Sequence, residues 1–311
     1  MDGVFIGQII KQKREELGLS QEELCEGICS PPTLSRIETG KQAPSCNHMN
    51  ALLQRLGLPE NRYYVMMTQQ EMEIEKLVHE ITSSEFRYNF ATETEKERFR
   101  QQGLAALQKL EPLAQENDTI TKQFILCTKA LLGKVSGLYT WADQRDLFLD
   151  ALRLTVPKFD EEDISNQVYS YDEIKLITQI ATNYGLDGQH KKAIDLLGQL
   201  LKYTKRTNNM RLKKRIPLIA YNYALQLGIE GYYAEAIEVA KYGRQASIDN
   251  GHYKFLPGLA HIKAECYYQL GNIEKSKDFY MQAYYTYKLL GDEINRSILE
   301  TEAQKYLGIV F

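Results

Sequence analysis

The sequence predicts an all-α protein, a small head of short helices followed by a repeated array of helix pairs. Three observations carry this. Apolar residues recur at helical spacing along the chain, and no alternating strand-like run rises above background. Caps and stop glycines punctuate those stretches at helix-length intervals. Three segments of the C-terminal half repeat one order of small, large and turn residues.

In the head, the first helix spans about Phe5 to Leu17, with Ile6, Ile9, Ile10 and Leu17 as its apolar positions and Gly18 as its stop. Ser20 and Glu23 form a capping box for the second, and Leu24 and Ile28 share one face. Ser30 caps the third, with Pro31 at the first helical position, where its missing N–H costs nothing. Leu34 and Ile37 give that helix a narrow stripe, and Gly40 suits a left-handed cap. So little apolar surface leaves its other face for a partner. Ser45 caps a fourth helix with Met49, Leu52, Leu53 and Leu56 inward, and Gly57 and Pro59 end it.

Thr68 and Glu71 then cap a long linking helix with Met72, Leu77, Val78, Ile81 and Phe86 as its stripe. That stripe can serve a second subunit or the chain's own C-terminal part. Beyond Thr92 all is helix. The pieces at 181–197, 224–240 and 264–280 each hold a small residue (Ala181, Ala224, Ala264), then a large one (Tyr184, Leu227, Tyr267). A turn glycine follows (Gly188, Gly231, Gly271), then another small residue (Ala193, Ala236, Ser276). Small residues there let antiparallel helices approach closely, and the large ones fill the grooves between pairs. Residues 92–157 read as one or two eroded repeats, with YTWADQRDLFLDAL the clearest piece.

Composition excludes several classes. The chain has 311 residues, 43% hydrophobic and 25% charged, ordinary for a soluble globular protein. No run of 18 apolar residues and no basic-then-apolar leader occurs, so no membrane contact and a cytoplasmic location are expected. Five scattered cysteines read as reduced thiols. The net charge is −3, and residues 1–60 hold six Lys/Arg (Lys11, Lys13, Arg14, Arg36, Lys41, Arg55) against eight Asp/Glu. Attraction to phosphate must therefore be local, with acids turned away from Lys11, Lys13, Arg14, Arg36 and Lys41. No phosphate-loop, H-E-x-x-H or G-x-S-x-G pattern is present, and the protein is not expected to be an enzyme. Cys25, Cys29, Cys46 and His48 fit no zinc module, so neither metal nor cofactor is expected.

The motifs IGQIIKQKREELGLSQEEL, TLSRIETGKQAPS and HMNALLQRLGL resemble the lambda-repressor-like helix-turn-helix domains. The repeats resemble the tetratricopeptide repeat, which implies a right-handed α-solenoid; their glycines lie 43 and 40 residues apart rather than about 34, so the helices are extended. A head of that kind joined to such repeats resembles the RRNPP group of Rgg- and PlcR-like transcriptional regulators. The resemblance implies three parts: a DNA-binding domain over 1–66, a linker helix over 67–91, and a peptide-binding and dimerisation domain over 92–311. It further implies a homodimer on an inverted-repeat operator in double-stranded DNA and a short quorum-sensing peptide as ligand. A repeat domain acting as a protein-interaction scaffold, without such a peptide, is the alternative.

In such domains the third helix enters the major groove by its N-terminal end. With Leu34 and Ile37 inward, Pro32, Ser35, Arg36 and Thr39 point outward, and the candidate contacts are completed by Gln21, Ser30, Pro31, Thr33 and Lys41. Arg36 can pair bidentately with guanine, or can bind a phosphate or a surface acid. The two prolines offer no donors but can touch thymine methyls. By resemblance Gln21 stands where the family places a phosphate- or base-contacting glutamine, and Asn222 where peptide-binding repeats place a clamping asparagine. Lys175, Thr178, Thr182, Tyr221, His261, Glu265 and Tyr268 face the groove in the same register. The run 202–216, with seven basic residues and no acid, is either a solvated helix end or an attractor of peptide carboxylates.

Overall fold

The computed structural model describes residues 6–58, 69–88 and 93–311, and every regular element among them is helical. Expectations resting on Phe5, Pro59, Thr68 and the Phe86 side chain, and the domain limits at 66/67 and 91/92, lie outside the described residues. The chain forms two compact units, Met1–Asn183 and Tyr184–Phe311.

The first unit opens with the head: α1 (Ile6–Glu16), α2 (Gln21–Cys25), α3 (Pro31–Glu38) and α4 (Cys46–Leu56). Ile10, Leu24, Ile28, Leu34, Ile37, Met49, Leu52, Leu53 and Leu56 form one buried cluster, as the spacing of the apolar residues requires. Ser20 and Glu23 close the capping box: the Ser20 N–H donates to the Glu23 carboxylate at 2.7 Å, and the Glu23 N–H donates to Ser20 Oγ at 3.1 Å.

Next come α5 (Gln69–Tyr88), α6 (Glu93–Leu110), α7 (Thr119–Val135), α8 (Trp141–Thr155) and α9 (Tyr171–Leu186). The stripe of α5 is spent on its own chain. Ile74, Leu77 and Ile81 pack with Leu107 and Leu110 of α6 and Ile125 and Leu132 of α7. Met72, expected inward, is exposed, and Ile74 takes the buried place.

The head rests directly on α7, α8 and α9. Thr119 Oγ1 donates to the Gly27 carbonyl at 2.6 Å, and Asn47 Nδ2 reaches Thr121 Oγ1 at 3.0 Å. The approach at Gly27 is so close that a Cβ would fall 1.8 Å from the Thr155 carbonyl oxygen, and its φ of +71° independently demands glycine. At the centre Arg55 Nη2 meets Glu173 Oε1 at 2.8 Å, both side chains being at most 3% exposed.

The second unit holds α10 (His190–Arg206), α11 (Met210–Lys213), α12 (Ile216–Ile229), α13 (Tyr233–Asp249), α14 (Leu256–Gln269), α15 (Ile273–Leu290) and α16 (Glu293–Leu307). Helices α12 and α13 pair, α14 and α15 pair, and α13 packs against α14. This is a helical repeat array. The turn glycines Gly188, Gly231 and Gly271 all take left-handed φ values, from +75° to +83°. The small residues of the pattern are all fully buried. Ser276 earns its place twice, because its hydroxyl also donates across the pair to the Ala264 carbonyl at 2.8 Å. No helix among the described residues is long and apolar enough to cross a membrane.

Candidate nucleic-acid interface and ligand-binding surface

Helix α3 is held at both ends. The Thr33 N–H donates to Ser30 Oγ, and prolines occupy the first two helical positions, where no intrahelical N–H bond is lost. At the other end the Lys41 N–H returns to the Arg36 carbonyl at 2.8 Å around Gly40. With Leu34 and Ile37 buried, the opposite face carries Ser30, Pro32, Arg36, Thr39 and Lys41 exposed, with Pro31, Thr33 and Ser35 partly covered. Arg36 forms no ion pair or side-chain hydrogen bond among the described residues. The Thr39 hydroxyl is turned back onto the Ser35 carbonyl at 2.8 Å.

Beneath this face lies a polar network that periodicity does not reveal. Glu38 is buried and accepts from Arg14 Nε at 2.7 Å, Arg14 Nη2 at 3.0 Å and Gln21 Nε2 at 2.7 Å. Arg14 also donates to the Leu19 carbonyl at 2.9 Å. The expectation that Arg14 attracts phosphate is corrected here: its guanidinium ties α1 to α3 and is nearly inaccessible. Gln21 is oriented by Glu38 and stands partly open at the start of α2. Lys13 is occupied by Glu16 at 3.0 Å, and that bond holds the Glu16 carboxyl below the usual range. Arg36 and Lys41 remain the open cations of the α3 face.

The expected ligand-facing residues fall in both units. In the first, Lys175 is exposed and lines a cavity of about 250 Å³ together with Asn47, Asn50, Glu85, Phe124 and Cys127. Burial pushes the Glu85 carboxyl and the Cys127 thiol up, the latter to about 12. Thr178 does not face a ligand surface: it is 2% exposed and its hydroxyl donates to the Ile174 carbonyl at 2.7 Å. The helical register gave it the right face of α9 but not the neighbours covering that face. Thr182 is partly open, its hydroxyl donating to the Thr178 carbonyl at 2.8 Å. Gln179 lines the cavity and was not anticipated.

In the second unit, Tyr221, Asn222, His261, Glu265 and Tyr268 are all half-buried. The Tyr221 ring lies 5.9 Å from that of Phe255, and the Tyr268 ring 5.1 Å from that of Tyr306. His261 Nε2 and Glu302 Oε2 are 2.7 Å apart. Burial raises the Glu265 carboxyl, with His261 pulling it down and Glu302 adding to the rise. Burial and Glu265 likewise raise the Tyr221 phenol. The result is an aromatic wall carrying two carboxylates and an imidazole. Glu302 lies 41 residues from His261, so no motif signals it. The basic run ends α10 and starts α12, with Lys205 Nζ 3.7 Å above the Tyr242 ring centroid.

The family comparisons match both parts. Residues 10–62 match the helix-turn-helix family, and residues 109–308 match the RNPP family C-terminal domain. No curated protein matches the sequence. Among solved structures, that of Bacillus thuringiensis PlcR in complex with the peptide PapR7 and DNA is similar at 21% identity and a TM-score of 0.58, covering 94% of this chain and 98% of that one. The apo form of the same protein gives 18% and 0.54 over 94% and 98% of the two chains. The Streptococcus dysgalactiae SHP pheromone receptor Rgg2 gives 15% and 0.50 over 96% and 98%. At these identities the likeness is one of fold. The C-terminal match spans more than half of the sequence, and on that ground this chain belongs to the RNPP family.

Proposed function

We propose that the protein is a sequence-specific DNA-binding transcriptional regulator whose helical repeats sense a short signalling peptide. The observation that carries this reading is the joining, in one chain of the RNPP family, of a capped α3 with an open polar face to a repeat array with a half-buried polar surface. The relatives of known structure support it, since the PlcR complex holds both a peptide and DNA and Rgg2 is a pheromone receptor.

In this reading α3 enters the major groove. Arg36 reads a guanine edge, and Pro32 and Ser35 make the close neighbouring contacts. Gln21, Ser30, Pro31, Thr33, Thr39 and Lys41 set the register on the backbone and groove walls. The chain works as a homodimer in the cytoplasm, by binding and without catalysis, with 1–66 as head, 67–91 as linker and 92–311 as the sensing and dimerising part. Asn222 clamps the peptide backbone, because a side-chain amide satisfies one donor and one acceptor together. Tyr221, His261, Glu265 and Tyr268 of the same unit supply side-chain contacts.

The test has two arms. Selection from random duplex DNA should return an inverted repeat with half-sites about 10 base pairs apart or a multiple of that. Arg36→Ala should then cost about 1–3 kcal/mol of discrimination against random DNA. For the sensing arm, short peptides encoded near the gene are screened by thermal shift, where a ligand at 100 times its Kd stabilises by about 2.7 kcal/mol. Sequence preference that survives Arg36→Ala overturns the placement of α3. A repeat array that binds a protein partner equally well after Asn222→Ala, and no peptide, overturns the sensing role.

A further inference from the structure

Three ligand-bearing side chains that lie far apart in sequence meet in the last repeats. His261 and Glu265 are one turn apart on α14 and share a face, and Glu302 reaches them from α16. Their ligating atoms all lie within 4.8 Å of one another, the only such group of three or more among the described residues. The His261 and Glu302 side chains are 13% and 30% exposed, sheltered but open to an entering ion.

A second observation points to the same spot from behind. Tyr280 of α15 is fully buried, yet its hydroxyl has no hydrogen-bond partner. Its ring centroid is 5.6 Å from the imidazole, and its phenol lies within electrostatic reach of both Glu265 and Glu302. A buried donor without an acceptor is disfavoured unless a nearby group turns toward it in another state. Two carboxylates sharing one site repel, and a single imidazolium offsets only one of them. A divalent cation resolves both difficulties: it neutralises the pair, takes the imidazole as a neutral ligand, and fixes a carboxylate oxygen for the phenol to bond.

We propose that His261, Glu265 and Glu302 bind a divalent transition-metal ion of the Zn²⁺ class, with Tyr280 as an outer hydrogen-bond donor. One imidazole nitrogen and two carboxylate oxygens suit such an ion, whereas Ca²⁺ takes about 6–8 oxygens and thiophilic ions prefer sulfur. Metal–ligand bonds of about 2.0–2.2 Å put the three donor atoms about 3.3 Å apart. The His261–Glu302 contact of 2.7 Å must open slightly and Glu265 must swing in, both within the range of side-chain rotation. The bound ion ties α16 to α14 and leaves a coordination position open. This inference stands on the geometry of three helices, independently of whether a peptide is sensed.

The test uses the full chain, stripped with a chelator and titrated with Zn²⁺ by calorimetry. One ion per chain is expected, with affinity lowered at least tenfold in Glu302→Gln and in Glu265→Gln, both monitored for retained helical circular dichroism. Tyr280→Phe should lower affinity about 10–100-fold, the usual effect of losing an outer partner, while leaving the metal-free thermal midpoint unreduced. Cys25→Ser and Cys46→Ser should leave binding intact. Co²⁺ loaded on the unaltered chain should show nitrogen and oxygen ligand-field bands without a thiolate charge-transfer band. Absence of saturable binding, full affinity in both glutamine variants, or a thiolate band overturns the site.

Discussion

The contact between Arg55 and Glu173 gives the most exacting test of how the head is held against α8 and α9 within the first unit. Arg55 Nη1 donates to the Leu24 and Glu26 carbonyls at 2.9 and 2.6 Å. Its Nη2 donates to the Thr155 carbonyl at 3.1 Å and to Glu173 Oε1 at 2.8 Å. Glu173 is also the third residue of α9 and caps it, its second oxygen accepting from the Ser170 N–H at 2.6 Å. One guanidinium therefore joins the end of α2, the end of α8 and the start of α9. Arg55→Ala leaves a buried carboxylate and three carbonyls without their donor. Removing one partner of a buried pair costs about 3–5 kcal/mol. Glu173→Gln is milder, because the amide oxygen keeps the Ser170 bond and Arg55 keeps its three carbonyls. The loss is then about 1.5–3 kcal/mol, that of a hydrogen bond to a charged group.

Urea unfolding followed through Trp141, the only tryptophan, reads this unit directly. With a slope of about 2–3 kcal/mol per molar, Arg55→Ala should lower the midpoint by about 1–2.5 M. The order of effects is the sharper criterion: Arg55→Ala must exceed Glu173→Gln, and the double variant should cost less than the sum of the two, because Glu173→Gln removes the charge that Arg55→Ala leaves stranded. A loss below about 1 kcal/mol for Arg55→Ala, or additive effects of the two positions, would refute the reasoning.

Two further predictions concern the head and the repeat array. Burial lowers the His48 pKa below its ordinary value of 6.5, so below that pH the unfolded chain takes up a proton that the folded one refuses. Stability therefore falls as pH drops through 6.5 toward the folded value, and His48→Gln should flatten that part of the thermal-midpoint profile between pH 7 and 5; an unchanged slope would count against it. In the array, a Cβ at Gly243 would lie 2.8 Å from that of Ala220 and 3.1 Å from a Leu259 methyl, so Gly243→Ala should destabilise the unit by about 1–3 kcal/mol in thermal or urea unfolding, whereas a gain in stability would show that α13 can shift freely.

What the sequence makes legible and what it hides divide along a physical line. Caps, stops and turn glycines are local demands, so Ser20, Glu23, Ser30, Gly40 and Gly231 all do what their neighbours in sequence imply. The inward stripes of α3 and α4 and the small residues between repeat helices are equally legible, because burial of a face is periodic. Met72 and Thr178 mark the limit of that periodicity: a helical net gives the face, but only the neighbouring helices decide what covers it. Pairings of polar and charged groups across the fold carry no period at all. Arg14 meets Glu38 over 24 residues, His261 meets Glu302 over 41, and Arg55 meets Glu173 over 118. The sequence suggests phosphate for Arg14 and a ligand groove for His261, and it marks none of their partners. Each spans two helices, α1 with α3, α14 with α16, and α4 with α9, and in the first two cases apolar side chains of the same helices also meet. Apolar packing tolerates small slides between helices, whereas a buried charge is satisfied in one geometry only. The side chains least legible in the sequence are therefore the ones that fix how its legible helices are set against each other.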